Sequence, residues 1–300
     1  MLYLTPDRNV RITTGMRTLK QIEAAFPTED SCRAYLVKTR WPDGVHCPRC
    51  GSEKVHKLSR PWNWQCKQCT KAGYRFSPLV GTVFENTNYP LRSWFRVIFL
   101  MCQSKKGMSA LQIQRMIGSG SYRTAWYMCH RIRAAMTKGS DGKLTGVVEL
   151  DETWVGGEAK NKHKSARFVP KTAVIGAISR KGNVVAKVIE RVNHETVEAF
   201  MAETVSTKVD LVASDESTAY HGLAWRGFRH ATVNHSRGEY VRGLVHTANI
   251  DSFWSLLKRG IMGSFHHVSK KYLPLYVDEF SFRFNRRKAS DIFEQVIAGC

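Results

Sequence analysis

Within residues 1–40 apolar positions recur at helical spacing, with Ile22, Ala25 and Phe26 in register. Residues 41–80 lose that period. Trp41, Trp62 and Trp64 are interleaved there with Pro42, Gly44, Pro48 and Gly51, a pattern too irregular for a helical unit. Residues 90–137 return to helical spacing, with breaks at Gly107 and at Gly118-Ser119-Gly120. From Gly146 the period becomes that of strands: GVVELDETWV, TAVIGAIS and NVVAKVIERV, with Arg180–Asn183 as the hairpin turn between the last two. Asn193 reads as the N-cap of a helix reaching Val205, and VDLVASDE as a further strand. The rest reads as loop, then a helix from about Asn249, then a basic C-terminal helix. Glu158–Lys171 is basic and poor in strand formers, and reads as a loop. The pattern predicts four parts: a helical segment 1–40, an irregular unit 41–80, helices over 90–137, and an α/β domain over 146–290.

Composition narrows the function. Forty-three per cent of the 300 residues are hydrophobic, enough for a buried core. Lys and Arg total 46 against 25 acids, a net charge of +21 that points to a polyanionic partner such as nucleic acid. No apolar run reaches the length of a membrane span, and the N-terminus MLYLTPDRNVRITTG lacks the apolar stretch of a signal peptide. Neither a membrane protein nor an exported one is expected.

Eight cysteines in an unexported chain suggest metal rather than disulfides. Cys47, Cys50, Cys66 and Cys69 form C-x2-C-x15-C-x2-C, the spacing of a zinc ribbon. Each pair makes a knuckle that aims two thiolates at one ion, and four thiolates close a tetrahedral, structural site. Four unrelated core cysteines are the alternative, and two correctly spaced pairs seldom arise by chance. Cys102 and Cys129 lie in apolar helical patterns and are expected in the core.

Ser109–Ile117 reads as a capped helix with Leu111, Ile113, Met116 and Ile117 apolar. After the glycine turn, a second helix places Ala125, Met128, Cys129, Ile132 and Met136 on one face and Arg123, His130, Arg131 and Arg133 on the other. A basic second helix suits a helix-turn-helix reading DNA, and an ordinary helical hairpin is the alternative. Arg123, Arg131 and Arg133 are the candidate DNA contacts.

Asp151 ends the strand VVELD, Asp215 ends LVASD, and Asp251 opens the helix IDSFWSLLKRG. Acids at neighbouring strand ends and a helix start can hold two Mg²⁺ or Mn²⁺ ions, which clamp the attacking and leaving oxygens of a phosphoryl displacement. Lys258, two turns after Asp251, could hold a phosphate beside them. Capping and surface ion pairs are the bland alternatives. Alternation along the strand is expected to turn Glu149 and Glu152 away from Asp151. Asp278 and Glu279 read as surface or ion-paired acids, Ser214 and Tyr220 as hydrogen-bonding or packing groups, and Phe253 and Trp254 as core anchors.

Several strings together carry a resemblance: ELDETWVGG, SDEST, WPDGVHCPRCGS, FSPLVGTVFENTNYPLRSWF, AWYMCHRIRAAM, and the long tail from HTANIDSFW to FRFNRR. They are similar, in the same order, to the ISXO-type insertion-sequence transposases of the DDE class, over roughly residues 20–290. The resemblance implies a zinc ribbon, a helix-turn-helix and an RNase H-like core. It implies metal-dependent cleavage of transposon ends and joining of 3′-OH ends to target DNA. Asp151 and Asp215 match the first two catalytic acids, Asp251 the third, and Lys258 the basic residue after it. The family usually has Glu or Asn at the third position, so Asn249, two residues earlier, is the alternative ligand. Arg259, His266, His267, Lys270 and Lys271 fall in its basic tail and are candidate DNA contacts. Double-stranded DNA and a dimeric or larger synaptic assembly are the implied partners, with no small-molecule cofactor, inside a bacterial or archaeal cell. Two rivals share these features: an inactive, domesticated regulator, and a nuclease without strand transfer.

Overall fold

A computed structural model describes residues 15–69, 72–137, 142–156, 171–220, 222–223, 227–233, 241–243 and 245–300. The basic segment expected as a loop lies, apart from Lys171, outside the described residues. The chain divides into two compact units. One comprises Met1–Ser104, Ala110–Ala135 and Ala289–Cys300; the other comprises Lys105–Ser109 and Met136–Lys288.

In the first unit, helices α1 (Leu19–Ala25) and α2 (Glu29–Arg40) each begin with a capping box, built on Thr18 and Gln21 and on Thr28 and Ser31. Strands β1 (Val55–Lys57), β2 (Trp64–Cys66) and β3 (Tyr74–Phe76) form an antiparallel sheet in that order. Its small core is Trp41, Trp64 and Phe76, with Cys47 and Cys66. Helix α3 (Leu91–Gln103) follows Pro90, which has no side-chain oxygen to accept the helix's first N–H groups. The Glu29 carboxylate accepts them instead, from Leu91 N at 2.9 Å and Arg92 N at 3.0 Å. Helices α4 (Ala110–Ile117) and α5 (Tyr122–Met136) come next, separated at Gly118, whose φ is +66°. The last helix carries no basic residue and belongs here: Phe293 of α9 (Ile292–Gly299) packs on Phe26 and Phe95.

The second unit is built on a five-stranded sheet. Its strands are β4 (Val147–Val155), β5 (Thr172–Ser179), β6 (Val184–Ile189), β7 (Leu211–Ser214) and β8 (His230–Thr232). They lie in the order β6-β5-β4-β7-β8, with β6, β5 and β4 antiparallel and β4, β7 and β8 parallel. Strand β5 is apolar at nearly every position because both faces are covered. Helix α6 (His194–Thr204), capped by Asn193, places Val197, Phe200 and Met201 against Val148, Leu150 and Ala177. Helices α7 (Ala248–Gly260) and α8 (Leu273–Asn285) bury Phe253, Trp254, Leu257, Val277 and Phe280 against Val155, Val174 and Ile178. Arg283 of α8 is buried and ion-paired with Glu279, and the basic run Arg286–Lys288 follows the helix.

Candidate active site

The sheet register sets the site. Glu149 pairs with Ala213 across the parallel β4–β7 ladder, so two residues further along Asp151 and Asp215 stand level on neighbouring strands. Asp215 is fixed at the end of β7 by the Ser217 N–H, 3.0 Å from its Oδ1. Asp251 sits in the first turn of α7, where Thr247 Oγ1 donates to its Oδ2 at 3.1 Å. Trp254, one turn on, donates its indole N–H to Asp151 Oδ2 at 2.8 Å. Trp254 can lie there because Gly176 is the residue of β5 opposite Asp151. A Cβ on Gly176 would come within 2.6 Å of the indole ring.

Electrostatics mark Asp151 as the centre of the cluster. Burial pushes its carboxyl up to about 7, helped by repulsion from Glu152, Asp251 and Asp215 and opposed by the Trp254 N–H. Glu152 is raised too, by burial first and then by Asp215, while the Tyr220 hydroxyl donates to it and pulls the other way. Strand β4 continues through Val155, so Glu152 does lie across the strand from Asp151, and it lines the same cavity. That cavity, about 910 Å³, is also lined by Asp251, Lys258 and Arg259 and by Lys106, which the sequence reading did not single out.

Glu149 is placed differently from the sequence expectation. The period of a strand is two, which puts it on the face of Asp151 rather than the other. It is fully buried and binds Arg180 Nε at 2.9 Å. It also accepts the N–H groups of Asn249 and Ile250, at 2.8 and 3.1 Å, and the Asn249 amide at 2.7 Å. The alternative ligand Asn249 is thereby committed to anchoring α7, and Asp251 is the acid of that helix that faces the cavity.

Among the described residues, Cys47, Cys50, Cys66 and Cys69 are the group whose ligand atoms all lie within 4.8 Å of one another, with Cys47 and Cys69 sulfurs 3.2 Å apart. Four soft thiolate donors at that spacing fit zinc. The carboxylates are not gathered so closely. Their all-oxygen donor set, and the burial and neighbouring acids that raise Asp151, fit a hard divalent cation.

The candidate DNA contacts divide. Arg123, Arg259, His266, His267, Lys270 and Lys271 are exposed. Arg133 is 2% exposed, because it lies one helical turn after the core residue Cys129. Arg131 donates to the carbonyls of Glu85 and Thr82 at 2.9 and 3.3 Å. Neither offers the free guanidinium expected of it. In α4, Ile113 is buried while Leu111 and Met116 are 45% and 50% exposed.

The missed residues have a common cause. Lys106 and Gly176 act through contacts made across long sequence separations, which no local pattern announces. Glu149 had a signal, its two-residue offset from Asp151.

This arrangement, a four-cysteine ribbon ahead of a sheet that sets Asp151 in the middle of β4, not at the strand end expected of it, and Asp215 at the end of β7, is that of a zinc-ribbon transposase. Residues 143–285 match the ISXO2-like transposase domain and residues 27–72 the transposase zinc-ribbon domain. The chain belongs to the ISXO-type insertion-sequence transposase family. Over 277 residues it is 25% identical to an uncharacterized protein in transposable element ISH50 of Halobacterium salinarum, covering 86% of this chain and 91% of the relative. A chain of the simian T-cell lymphotropic virus intasome in complex with PP2A regulatory subunit B56 gamma is 12% identical. The match covers 57% of this chain and 63% of that one, less than two thirds of its length, at a TM-score of 0.29. A likeness that faint carries no weight.

Proposed function

We propose that the chain is an active DDE transposase that cleaves the ends of its element and joins the freed 3′-OH ends to target DNA. The observation that carries this reading is the grouping of Asp215 and Asp251 around the buried Asp151, whose carboxyl is pushed up to about 7 by burial first and by its acidic neighbours after that. The sheet order and the α4–turn–α5 pair support an RNase H-like core preceded by a helix-turn-helix.

Asp151, Asp215 and Asp251 would hold Mg²⁺ or Mn²⁺, which supplies charge neutralisation and activation of the attacking oxygen. Trp254 fixes the rotamer of Asp151, and Thr247 that of Asp251. Lys258, Arg259 and Lys106 line the same cavity with positive charge and would bind the phosphates flanking the scissile bond. In the first step water attacks the phosphorus, a P–O bond to the transposon 3′ oxygen breaks, and that oxygen leaves as a hydroxyl. In the second, the 3′-OH attacks a target phosphodiester, loses its proton, and displaces a target 3′ oxygen. No protein nucleophile is required. Zinc in the four-cysteine site would hold the ribbon. Two ends must be brought together, so a dimer or larger synaptic assembly on duplex DNA follows.

The test is a joining assay with a labelled duplex ending in the element's own terminal repeat, with Mg²⁺ or Mn²⁺ present or withheld. Metal-dependent joined product, absent in Asp151→Asn and Asp251→Asn, is the expected result. Cleavage without joining would make the protein a nuclease. Specific binding without cleavage in either metal would make it a regulator.

A further inference from the structure

We propose that the first unit carries a pocket for an unpaired nucleotide of a DNA strand, between the loop Asn86–Tyr89 and the first turns of α5. The proposal takes DNA as the partner from the reading above, and is independent of the cleavage chemistry. The pocket encloses about 650 Å³ and is lined by Tyr89, Trp126 and Tyr127 together with Asn86, Asn88 and Arg123.

The lining selects the occupant. Tyr127 is 55% exposed although it sits on a helix whose next residues are core. The Arg131 guanidinium lies 5.5 Å from its ring centroid. In a duplex the faces of the bases are stacked and only their edges are offered in the grooves. Aromatic walls therefore suit a base that has left the stack. The two asparagine amides each bring a donor and an acceptor, the complement of a base edge. Arg123 is exposed and, among the described residues, no carboxylate lines the pocket, which suits the phosphate of the same nucleotide.

The pocket is also preformed. Arg131 ties the preceding loop to α5 through the carbonyls of Thr82 and Glu85. Thr87 Oγ1 accepts from Trp94 Nε1 at 2.9 Å and from Tyr89 N at 3.0 Å, which fixes the loop that carries both asparagines. Such rigidity lowers the ordering cost of binding.

The test uses the full chain with its zinc and no added Mg²⁺, and fluorescence anisotropy on three duplexes of one sequence. The first is fully paired, the second has one extrahelical adenosine, and the third has an extrahelical abasic residue at the same place. The adenosine duplex is expected to bind roughly tenfold more tightly than the abasic one, the scale of one base stacked on an aromatic side chain. Tyr127→Ala and Asn88→Ala, both at exposed side chains, should each remove most of that margin, while Tyr127→Phe keeps it. Equal affinity for the adenosine and abasic duplexes would overturn the proposal, as would a margin that survives both alanine substitutions. Equal weakening of all three duplexes would mean an ordinary duplex contact, and would overturn it as well. None of these results touches the joining assay, so the two readings fail separately. Failure to bind any of the duplexes would overturn the proposal and leave the reading above to the joining assay.

Discussion

Asp151 shows how one residue can serve chemistry at the expense of stability. Its ordinary value is 3.8 and its folded value about 7, with burial as the main cause. Between those values the folded protein holds a proton that the unfolded chain has lost. The stability this represents is fully present below about pH 4 and is lost as pH rises toward about 7. In metal-free protein the melting temperature should therefore fall over that window, and Asp151→Asn should flatten the fall. Calorimetry of both proteins across the range checks it, and parallel curves would show that Asp151 is not the group concerned. Glu149 makes the contrasting case. It is a buried acid with several partners, so Glu149→Ala leaves Arg180 and the start of α7 uncompensated. A loss of about 3 kcal/mol is expected in a urea titration, the usual scale for breaking a buried pair.

At the scale of elements, the site depends on how closely α7 approaches β5. Gly176→Ala places a methyl group 2.6 Å from the Trp254 ring, which must move and take its hydrogen bond with it. Overpacking of this kind costs about 1–3 kcal/mol. Joining activity should fall well beyond what that stability loss explains, because Asp151 loses the donor that fixes it. Trp254→Phe, which removes the N–H and keeps an aromatic ring, should reproduce much of the defect without the strain. The zinc ribbon is a separate case. Its sheet has three-residue strands and a small core around Trp41, Trp64 and Phe76. Too little apolar surface is buried there to hold it without the metal. Chelation should strip hydrogen-exchange protection from β1–β3 while β4 and β5 keep theirs. These elements also show what a sequence can disclose. Paired cysteines, strand alternation and the Asn193 cap are local patterns, and each one named its element. The Gly176–Trp254 contact joins residues far apart in the chain, and so does the presence of Lys106 on the cavity that Asp251 lines. The burial of Arg133 was legible from its four-residue offset to Cys129, but its charge suggested a surface position.

At the scale of the whole molecule the dominant property is charge. A net +21 on a chain with buried cores in both units must reside mostly on surfaces. Some basic groups are paired internally, as Arg180 is with the buried Glu149 and Arg283 with Glu279. Exposed Lys258, Arg259, Lys270 and Lys271 all follow the Asp251 turn in sequence, within the unit that holds the carboxylates. DNA bound by such a surface releases condensed counterions, and the logarithm of affinity then falls linearly with the logarithm of salt concentration. The Lys270→Ala/Lys271→Ala double variant removes two exposed charges that the core does not use. Its slope should be shallower than that of the parent by about 1 to 2, since each phosphate left unneutralised lowers the slope by roughly one. The weakening should be the same on the terminal repeat and on unrelated duplex, since binding to phosphates carries no sequence information. Anisotropy titrations at several salt concentrations on both duplexes measure slope and specificity together. A weakening confined to the terminal repeat would instead place these lysines against base edges. An unchanged slope would place them outside the DNA path.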